Sequence, residues 1–487
     1  MPVDRPNVLL ICVDEWRGDC LSAAGHPHVE TPHLDELARR GTRFERAYSA
    51  TPTCAPARVA LFTGQSQERH GRVGYDDGIP FDAAHPVTLP REFAKAGYHT
   101  QAIGKMHVWP ERSRIGFDDV VLHDGFLHHS RRAHRQQFAF FDDYVPWLRR
   151  QPGVSPDADY FDHGVNCNSI VARPWDKPEH LHPTHWIGTQ AIEWMYRRDP
   201  TRPFFLYLSF HRPHPPYDPP AWAFEQYLGI DPYEPVVGDW EQAWAEFRRD
   251  GDYQASIGRI PPHVVHRARA GYYGLMTQID LQINRILESL ADFGLYDDTV
   301  VAFTSDHGEM MGDHHMFRKG VPYEGSARIP FIVADAPSRG GPASVADEVV
   351  ELRDVMPTLL DLAGLPVPET VDGRSLAGHL RGEPGPRREY LHGEHVYWGQ
   401  SLQWMTDGRT KYVWGSAKGV EQLFDLETDP HELRDLSGLP EHAATRALWR
   451  DRLARALEGR EEGFVEDGEL VTGRPVTTVL EHTRARI

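Results

Sequence analysis

Cys54 lies in the stretch PTCAPARVALFTG, Pro52 to Gly64, with Arg58 four residues further on. Pro56 suits the first turn of a helix, Ala57 to Phe62 continue without a breaker, and Gly64 ends the run. Cys54 therefore reads as a residue at a helix N-terminus, where free backbone N–H groups and the helix dipole favour an anion. A reactive group placed there, one turn from an arginine, is suited to meet negative charge; a buried structural cysteine beside a surface arginine fits the spacing equally well. Asp14 and the pair Asp306-His307 are spaced like metal ligands delivered by separate strands, and hard carboxylates suit a divalent cation. Taken alone, an Asp-His-Gly after a strand is more often a structural ion pair. Lys105, His107, His214 and Lys319 add cationic and proton-transferring groups, each ordinary on a surface when taken singly.

The elements that must position these residues are short apolar runs with polar groups directly behind them. NVLLICV (Asn7 to Val13) runs into Asp14 and Glu15, and YHTQAIG (Tyr98 to Gly104) into Lys105 and His107. PFFLYLSF (Pro203 to Phe210) runs into His211 and His214, and DTVVAFTS (Asp298 to Ser305) into Asp306 and His307. RIPFIVAD (Arg328 to Asp335) reads as one more buried strand. Helical patterns lie between: TPHLDELARRG with Thr31 as cap, Pro32 first and Gly41 as stop; THWIGTQAIEWMYRR; and a long amphipathic segment, ARAGYYGLMTQIDLQINRILESLADFG. Strands alternating with helices predict an α/β fold with a parallel sheet, and such sheets bind ligands beyond the carboxyl ends of their strands. Two stretches rich in histidine and aromatics, HDGFLHHSRRAHRQQFAFFDDY and PWDKPEHLHPTHW, fit neither period and read as loops over that edge. After GEPGPRR (Gly382 to Arg388) the pattern changes: SLQWMTDGRTKYVWG predicts a hairpin turning at Asp407-Gly408. A catalytic domain over 1–385 and a small C-terminal α+β domain with an antiparallel sheet over 389–487 follow from this.

Composition narrows the function. The 487 residues carry 52 Lys+Arg against 71 Asp+Glu, a net charge of −19, which argues against nucleic acid or an anionic membrane as partner. An anionic substrate must then be drawn in by a local cluster or a metal. No run approaches a membrane-spanning length, and NVLLICV lacks the basic flank and cleavage site of a signal peptide. Cys12, Cys20, Cys54 and Cys167 show neither C-x-x-C spacing nor the density of a disulfide framework, so the expected setting is the reduced cytoplasm.

Two of these stretches resemble a known family at every defined position. PTCAPARVALFTG is similar to the first sulfatase signature, Cys-x-Pro-x-Arg with an apolar pair and Thr-Gly, and GYHTQAIGKMH to the second, ending in Gly-Lys-x-His. TSDHGEMMGDHHMFRKG, EGSARIPFIV, DVMPTLLDLAG and QLFDLETDPHE continue the similarity along nearly the whole chain. The chain is identified as a member of the type I sulfatase family in the alkaline-phosphatase-like superfamily. The resemblance implies a mixed, mostly parallel central sheet flanked by helices. It also implies that a maturation enzyme converts Cys54 to formylglycine (3-oxoalanine), recognising Pro56 and Arg58. The hydrated aldehyde is a gem-diol, one oxygen of which attacks sulfur while the other expels sulfate. By the same resemblance Asp14, Asp306, His307 and the modified Cys54 hold one divalent cation. Arg58 and His107 orient the gem-diol, His107 also serving as base. Lys105, His214 and Lys319 contact sulfate oxygens, and the last two protonate the leaving alcohol. Three positive side chains and a dication let a chain of net −19 bind an anion.

Departures from the family pattern set the alternatives. Asp14 is followed by Glu15 where many sulfatases have a second Asp, which puts a ligand role for Glu15 in doubt and leaves it open. His307 stands where many have Asn; Asp-His-Gly resembles the phosphonate monoester hydrolase and choline-sulfatase branches. Ca²⁺ is the expected ion, with Mn²⁺ the alternative because imidazole suits it better. Asp76 and Asp77 stand near where choline sulfatase has Asn, which argues against choline sulfate. The expected function is hydrolysis of a small-molecule or saccharide sulfate ester. A phosphonate monoester or phosphodiester hydrolase using the same site is the nearest rival, and a non-catalytic metal-binding relative the more distant one. A homo-oligomer is compatible with the sequence.

Overall fold

The computed structural model describes residues 5–76, 78–125, 141–159, 162–231, 234–385 and 387–487. Its centre is β1 (Asn7–Asp14), whose residues from Val8 onward are all buried. Alternate side chains enter two separate cores: Leu9, Ile11 and Val13 face one, Val8, Leu10 and Cys12 the other. A strand covered on both faces must be apolar throughout, which is why NVLLICV shows no alternation. Parallel to β1 run β5 (Phe204–Pro213) on one side and β6 (Thr299–Ser305) on the other. β3 (His99–Gly104) pairs parallel with β5, and β4 (Asp119–Leu122) closes that edge.

On the first face lie α1 (Pro32–Arg40), α3 (Pro183–Arg197) and α4 (Pro262–Asp292); on the second lie α2 (Cys54–Thr63) and α5 (Val355–Leu362). α1 begins after Thr31 with Pro32 at its first position and stops at Gly41, and α2 ends at Gly64 in the left-handed region, φ 65°.

The run Arg328 to Asp335 is not one strand. It forms β7 (Arg328–Ile329) and β8 (Phe331–Ala334), interrupted at Pro330, which has no N–H for a ladder. Both run antiparallel to their neighbours, β8 to β6 and β2 (Thr42–Tyr48), β7 to β2. β9 (Ser344–Glu351) pairs parallel with β2, completing a nine-stranded mixed sheet. Of the two stretches expected as loops, PWDKPEHLHPTHW is partly helical. A short turn at Glu179–Leu181 leads into α3, because Pro183 takes the first helical position and the His182 side chain accepts from Thr184 N. Most of the other stretch, 126–140, lies outside the described residues.

The C-terminal part is an antiparallel meander, β10 (Leu391–Tyr397), β11 (Gln400–Thr406), β12 (Thr410–Gly415) and β13 (Val420–Asp425), with α6 (Ala443–Leu457) against it. Asp407 Oδ1 accepts from Arg409 N and Thr410 N, and Gly408 takes φ 85°, making the expected Asp-Gly turn. Every residue of β11 is buried, because α6 covers one face of this sheet and the main body the other. Met405, Tyr412 and Trp414 pack with Trp449 and Leu453; Leu402, Trp404 and Phe424 pack with Tyr48, Trp240 and Tyr323. Among the described residues no helix is long and apolar enough to cross a membrane.

Candidate active site

β1, β3, β5 and β6 run in parallel, so their carboxyl ends share one edge, and the residues just past them meet there. β1 delivers Asp14, and β6 delivers Asp306 and His307. α2 brings Cys54 to the same point as its first residue, behind an extended Thr53. Cys54 Sγ lies 3.1 Å from His307 Nε2 and 3.5 Å from Asp14 Oδ1; His307 Nε2 is 3.5 Å from Asp14 Oδ1 and 3.6 Å from Asp306 Oδ1. The four ligand atoms all lie within 4.8 Å of one another, and all four residues are buried.

Each carboxylate divides its oxygens between two tasks. Asp14 Oδ2 accepts from Lys105 Nζ and Asp306 Oδ2 from Arg58 Nε at 2.9 Å; each Oδ1 faces the shared centre, that of Asp306 also accepting from His307 N at 3.0 Å and Glu15 N at 3.2 Å. Two cationic side chains thus offset two buried carboxylates, whose isolation would otherwise be prohibitive. Burial opposes ionisation of Asp14, yet Lys105, with His214 and Lys319, holds its carboxyl well below the usual range. The Nδ1–H of His307 donates to Gly308 O at 3.0 Å, which leaves Nε2 to present its lone pair to the cluster. Burial pushes this imidazole down to about 4, so it is neutral at pH 7. Two carboxylates, a neutral imidazole and the group at position 54 form a donor set that fits one divalent cation. Burial and the adjacent Asp14 push the Cys54 thiol up to about 12, the opposite of an activated thiolate.

Arg58, one turn into α2, is wholly buried and points back at the strand ends. Besides Asp306, it donates through Nη1 to Lys105 O, Tyr207 Oη and Ser209 Oγ at 2.7–3.0 Å. Beyond β3 the chain turns sharply because Asp124 accepts from Met106 N and His107 N at 2.7 and 3.1 Å. His107 sits at φ 54°, its Nε2 3.4 Å from Tyr75 Oη.

Glu15, at φ 73°, turns away from the cation cluster. Its Oε2 accepts from Lys319 Nζ at 2.9 Å and lies 3.2 Å from His214 Nε2. The Nδ1–H of His214 donates to Pro215 O at 2.9 Å, and burial, with Lys319 nearby, holds this imidazole well below its usual value. Burial, with Glu309 nearby, pushes the Glu15 carboxyl well above the usual range. Glu15, His214 and Lys319 therefore form a closely packed trio beside the cation cluster.

Asp14, Cys54, Arg58, Lys105, His214, Asp306 and His307 converge on this edge, with His107 and Lys319 at its rim. Tyr207, Ser209 and His395 emerge only now, and His211 joins them. Tyr207, Ser209 and His211 form a polar stripe at every second residue of β5, a period-2 signal in an otherwise apolar strand. His211 Nδ1 lies 3.6 Å from Asp14 Oδ2. His395 of β10 reaches Thr53 Oγ1 with Nε2 at 2.8 Å, and nothing local to it announces that contact. Asp76 is half-buried, and Asp77 lies outside the described residues.

The family model for sulfatases matches residues 6–365, which spans every residue of the cluster. The chain belongs to the sulfatase family. A second model, described as the C-terminal part of N-sulphoglucosamine sulphohydrolase, matches residues 312–458. Among curated sulfatases the chain is 46% identical over 485 residues to "Arylsulfatase" of Clostridium perfringens (strain 13 / Type A), covering 99% of this chain and 100% of that one. It is 30% identical over 472 residues to "Choline-sulfatase" of Rhizobium meliloti (strain 1021), covering 93% and 87%. Among solved structures the phosphonate monoester hydrolase of Agrobacterium radiobacter superposes with a TM-score of 0.78 at 29% identity, over 93% of this chain and 95% of that one. This sulfatase is thus a hydrolase of the alkaline-phosphatase-like superfamily. Its metal-assisted active site is the cluster of Asp14, Cys54, Asp306 and His307, consistent with a formylglycine-dependent mechanism.

Proposed function

We propose that this sulfatase hydrolyses an alkyl, aryl or sugar sulfate monoester by way of a formylglycine made from Cys54. The observation that carries the reading is the place of Cys54: first residue of α2, among two carboxylates and a neutral imidazole. A buried, protonated thiol there is a poor nucleophile, whereas an oxygen-bearing side chain completes a hard donor set. The hydrated aldehyde supplies one hydroxyl to take the sulfuryl group and a second to expel it. A divalent cation, Ca²⁺ with Mn²⁺ the alternative, supplies Lewis-acid polarisation and charge compensation when bound by Asp14, Asp306, His307 and residue 54.

The remaining steps fall to the chain's own side chains. Lys105 and Lys319 face the sulfate oxygens, and Arg58 keeps Asp306 and the Lys105 carbonyl in place. His214, with Lys319, donates to the departing alcohol oxygen. His107 takes the proton whose loss lets sulfate depart. We take the catalytic unit to span 1–385 and the smaller unit 389–487, supported by the start of the second sheet at Leu391. Four free cysteines support a reduced, cytoplasmic setting, and a formylglycine-generating enzyme is the maturation partner. A second reading, hydrolysis of a phosphonate monoester or phosphodiester, is favoured by the likeness to the phosphonate monoester hydrolase structure.

Mass analysis of the tryptic peptide containing residue 54 tests the modification, and parallel assays on an aryl sulfate and a phenylphosphonate ester rank the two readings. The expected results are an aldehyde in place of the thiol, faster sulfate hydrolysis, and no turnover by Cys54→Ala with its unfolding midpoint kept, since alanine suits a helix. A Cys54→Ala protein with near wild-type activity sinks the mechanism.

A further inference from the structure

The C-terminal sheet packs beside the loop that leads into Cys54. β10 runs past the nucleophile loop: Glu394 N donates to Ala50 O at 2.9 Å, and His395 reaches Thr53. Tyr397, two residues on, lies on the same face of the strand. Gly320, next to Lys319, presses against both rings; a Cβ there would come within 3.5 Å of His395 and Tyr397. From His395, which contacts Thr53, the rings follow one another along the hairpin and pack against the interior cluster around Trp244. His395 to Tyr397 is 5.7 Å between centroids, Tyr397 to Trp398 is 4.9 Å, and Trp398 stacks on Phe247 at 4.9 Å with 12° between planes. Tyr397, Trp398 and Phe247 are only half-buried.

Trp398 is not what the turn requires. With Gly399 it makes the two-residue connection between β10 and β11, at φ 52° and 73°. Positive φ at both positions favours Asn-Gly, and a bulky residue in the first costs about 1 kcal/mol or more. The hairpin therefore carries a strained tryptophan where asparagine would satisfy the backbone, and strain of this kind gathers at functional sites. Trp398 Nε1–H donates to Ser256 Oγ at 3.1 Å, which fixes the plane of the indole.

We propose that Tyr397, Trp398 and Phe247 form the subsite for the leaving group, and that it takes a ring, either an aryl ring or the apolar face of a pyranose. The proposal rests on the sulfate-ester reading and narrows it, because a flat ring stacks on fixed aromatic faces while a flexible alkyl chain gains little from them. The test is Trp398→Asn, whose fit to the left-handed turn offsets part of the packing lost against Phe247 and Tyr397, with kinetics read on protein shown folded by circular dichroism. For nitrophenyl sulfate, a pyranose sulfate and butyl sulfate, kcat and KM are compared with those of the unsubstituted protein. The loss in kcat/KM should be about tenfold greater for a ring-bearing ester than for butyl sulfate, carried by KM. Trp398→Phe should recover most of it. A selective loss confined to nitrophenyl sulfate assigns the ring as aryl, and one confined to the sugar ester as pyranose. An equal factor on all three esters overturns the subsite and leaves the sulfatase reading intact, whereas an unsubstituted protein that cleaves none of them overturns both.

Discussion

The strand edge and the C-terminal sheet beside it are built on different physical terms. The strand edge holds Asp14, Asp306, His307, Arg58 and Lys105 fully buried, every charge matched by another within hydrogen-bond reach. The C-terminal sheet holds half-buried rings, joined to the first through His395 on Thr53 and one backbone bond to Ala50. A buried charge without its partner costs several kcal/mol, so the first tolerates no missing member. The second excludes water and offers shape, so its losses are graded.

Removing Asp306 should break the strand edge outright. Asp306→Ala strands Arg58 as a buried cation and takes one of two carboxylates from the metal site. Turnover should fall to background, bound divalent ion should be lost on metal analysis, and unfolding should be easier by about 3–5 kcal/mol. A variant that keeps its metal and its activity would place the centre elsewhere.

His214 stands beside Glu15 at the strand edge, and its effect should depend on the substrate. If His214 donates a proton to the leaving oxygen, His214→Ala should slow an alkyl sulfate by about 10²–10⁴-fold and a nitrophenyl sulfate far less. Measuring kcat/KM across a leaving-group series checks this; a slope equal to that of the unsubstituted protein removes the acid role.

The smallest effect lies on the seam away from the chemistry, where His392 of β10 pairs with Glu68. Burial opposes both charges, yet His392 draws the Glu68 carboxyl down to about 2, and Glu68 raises His392 above its ordinary value. The carboxylate's contribution is present above its unfolded pKa of about 4.3 and is lost as pH falls toward about 2. The imidazolium's is present below its unfolded pKa of about 6.5 and is lost as pH rises through the raised value. Stabilisation by the pair therefore peaks between about pH 4.3 and 6.5 and, with Glu68 one-third exposed, stays below about 1 kcal/mol. The gap in urea midpoint between the unsubstituted protein and His392→Gln should be widest near pH 5–6 and shrink by about pH 9. A gap that does not change with pH would show that packing alone holds the seam.

Much of the strand edge was legible because its determinants are local. An apolar run with a carboxylate behind it marks a buried parallel strand and its functional end, and Pro56 with Gly64 brackets α2 to within two residues. The sequence alone also carried the family signatures, hence the cluster's membership and the α/β class. It did not determine that Arg58 is wholly buried against Asp306, or that Glu15 turns to Lys319 and His214 rather than to the cation site. Nor did it show that the run after Arg328 breaks at Pro330 and reverses, or that β2 and β9 complete the sheet. The contact of His395 with Thr53 spans 342 positions and exists only because one face of the C-terminal sheet packs against Tyr48, Trp240 and Tyr323. Hydrophobic period, caps and turns are set by residues a few places apart, and a sequence displays them directly. The partner of a buried charge or ring is chosen by which apolar faces cover each other, and only the packed tertiary structure decides that.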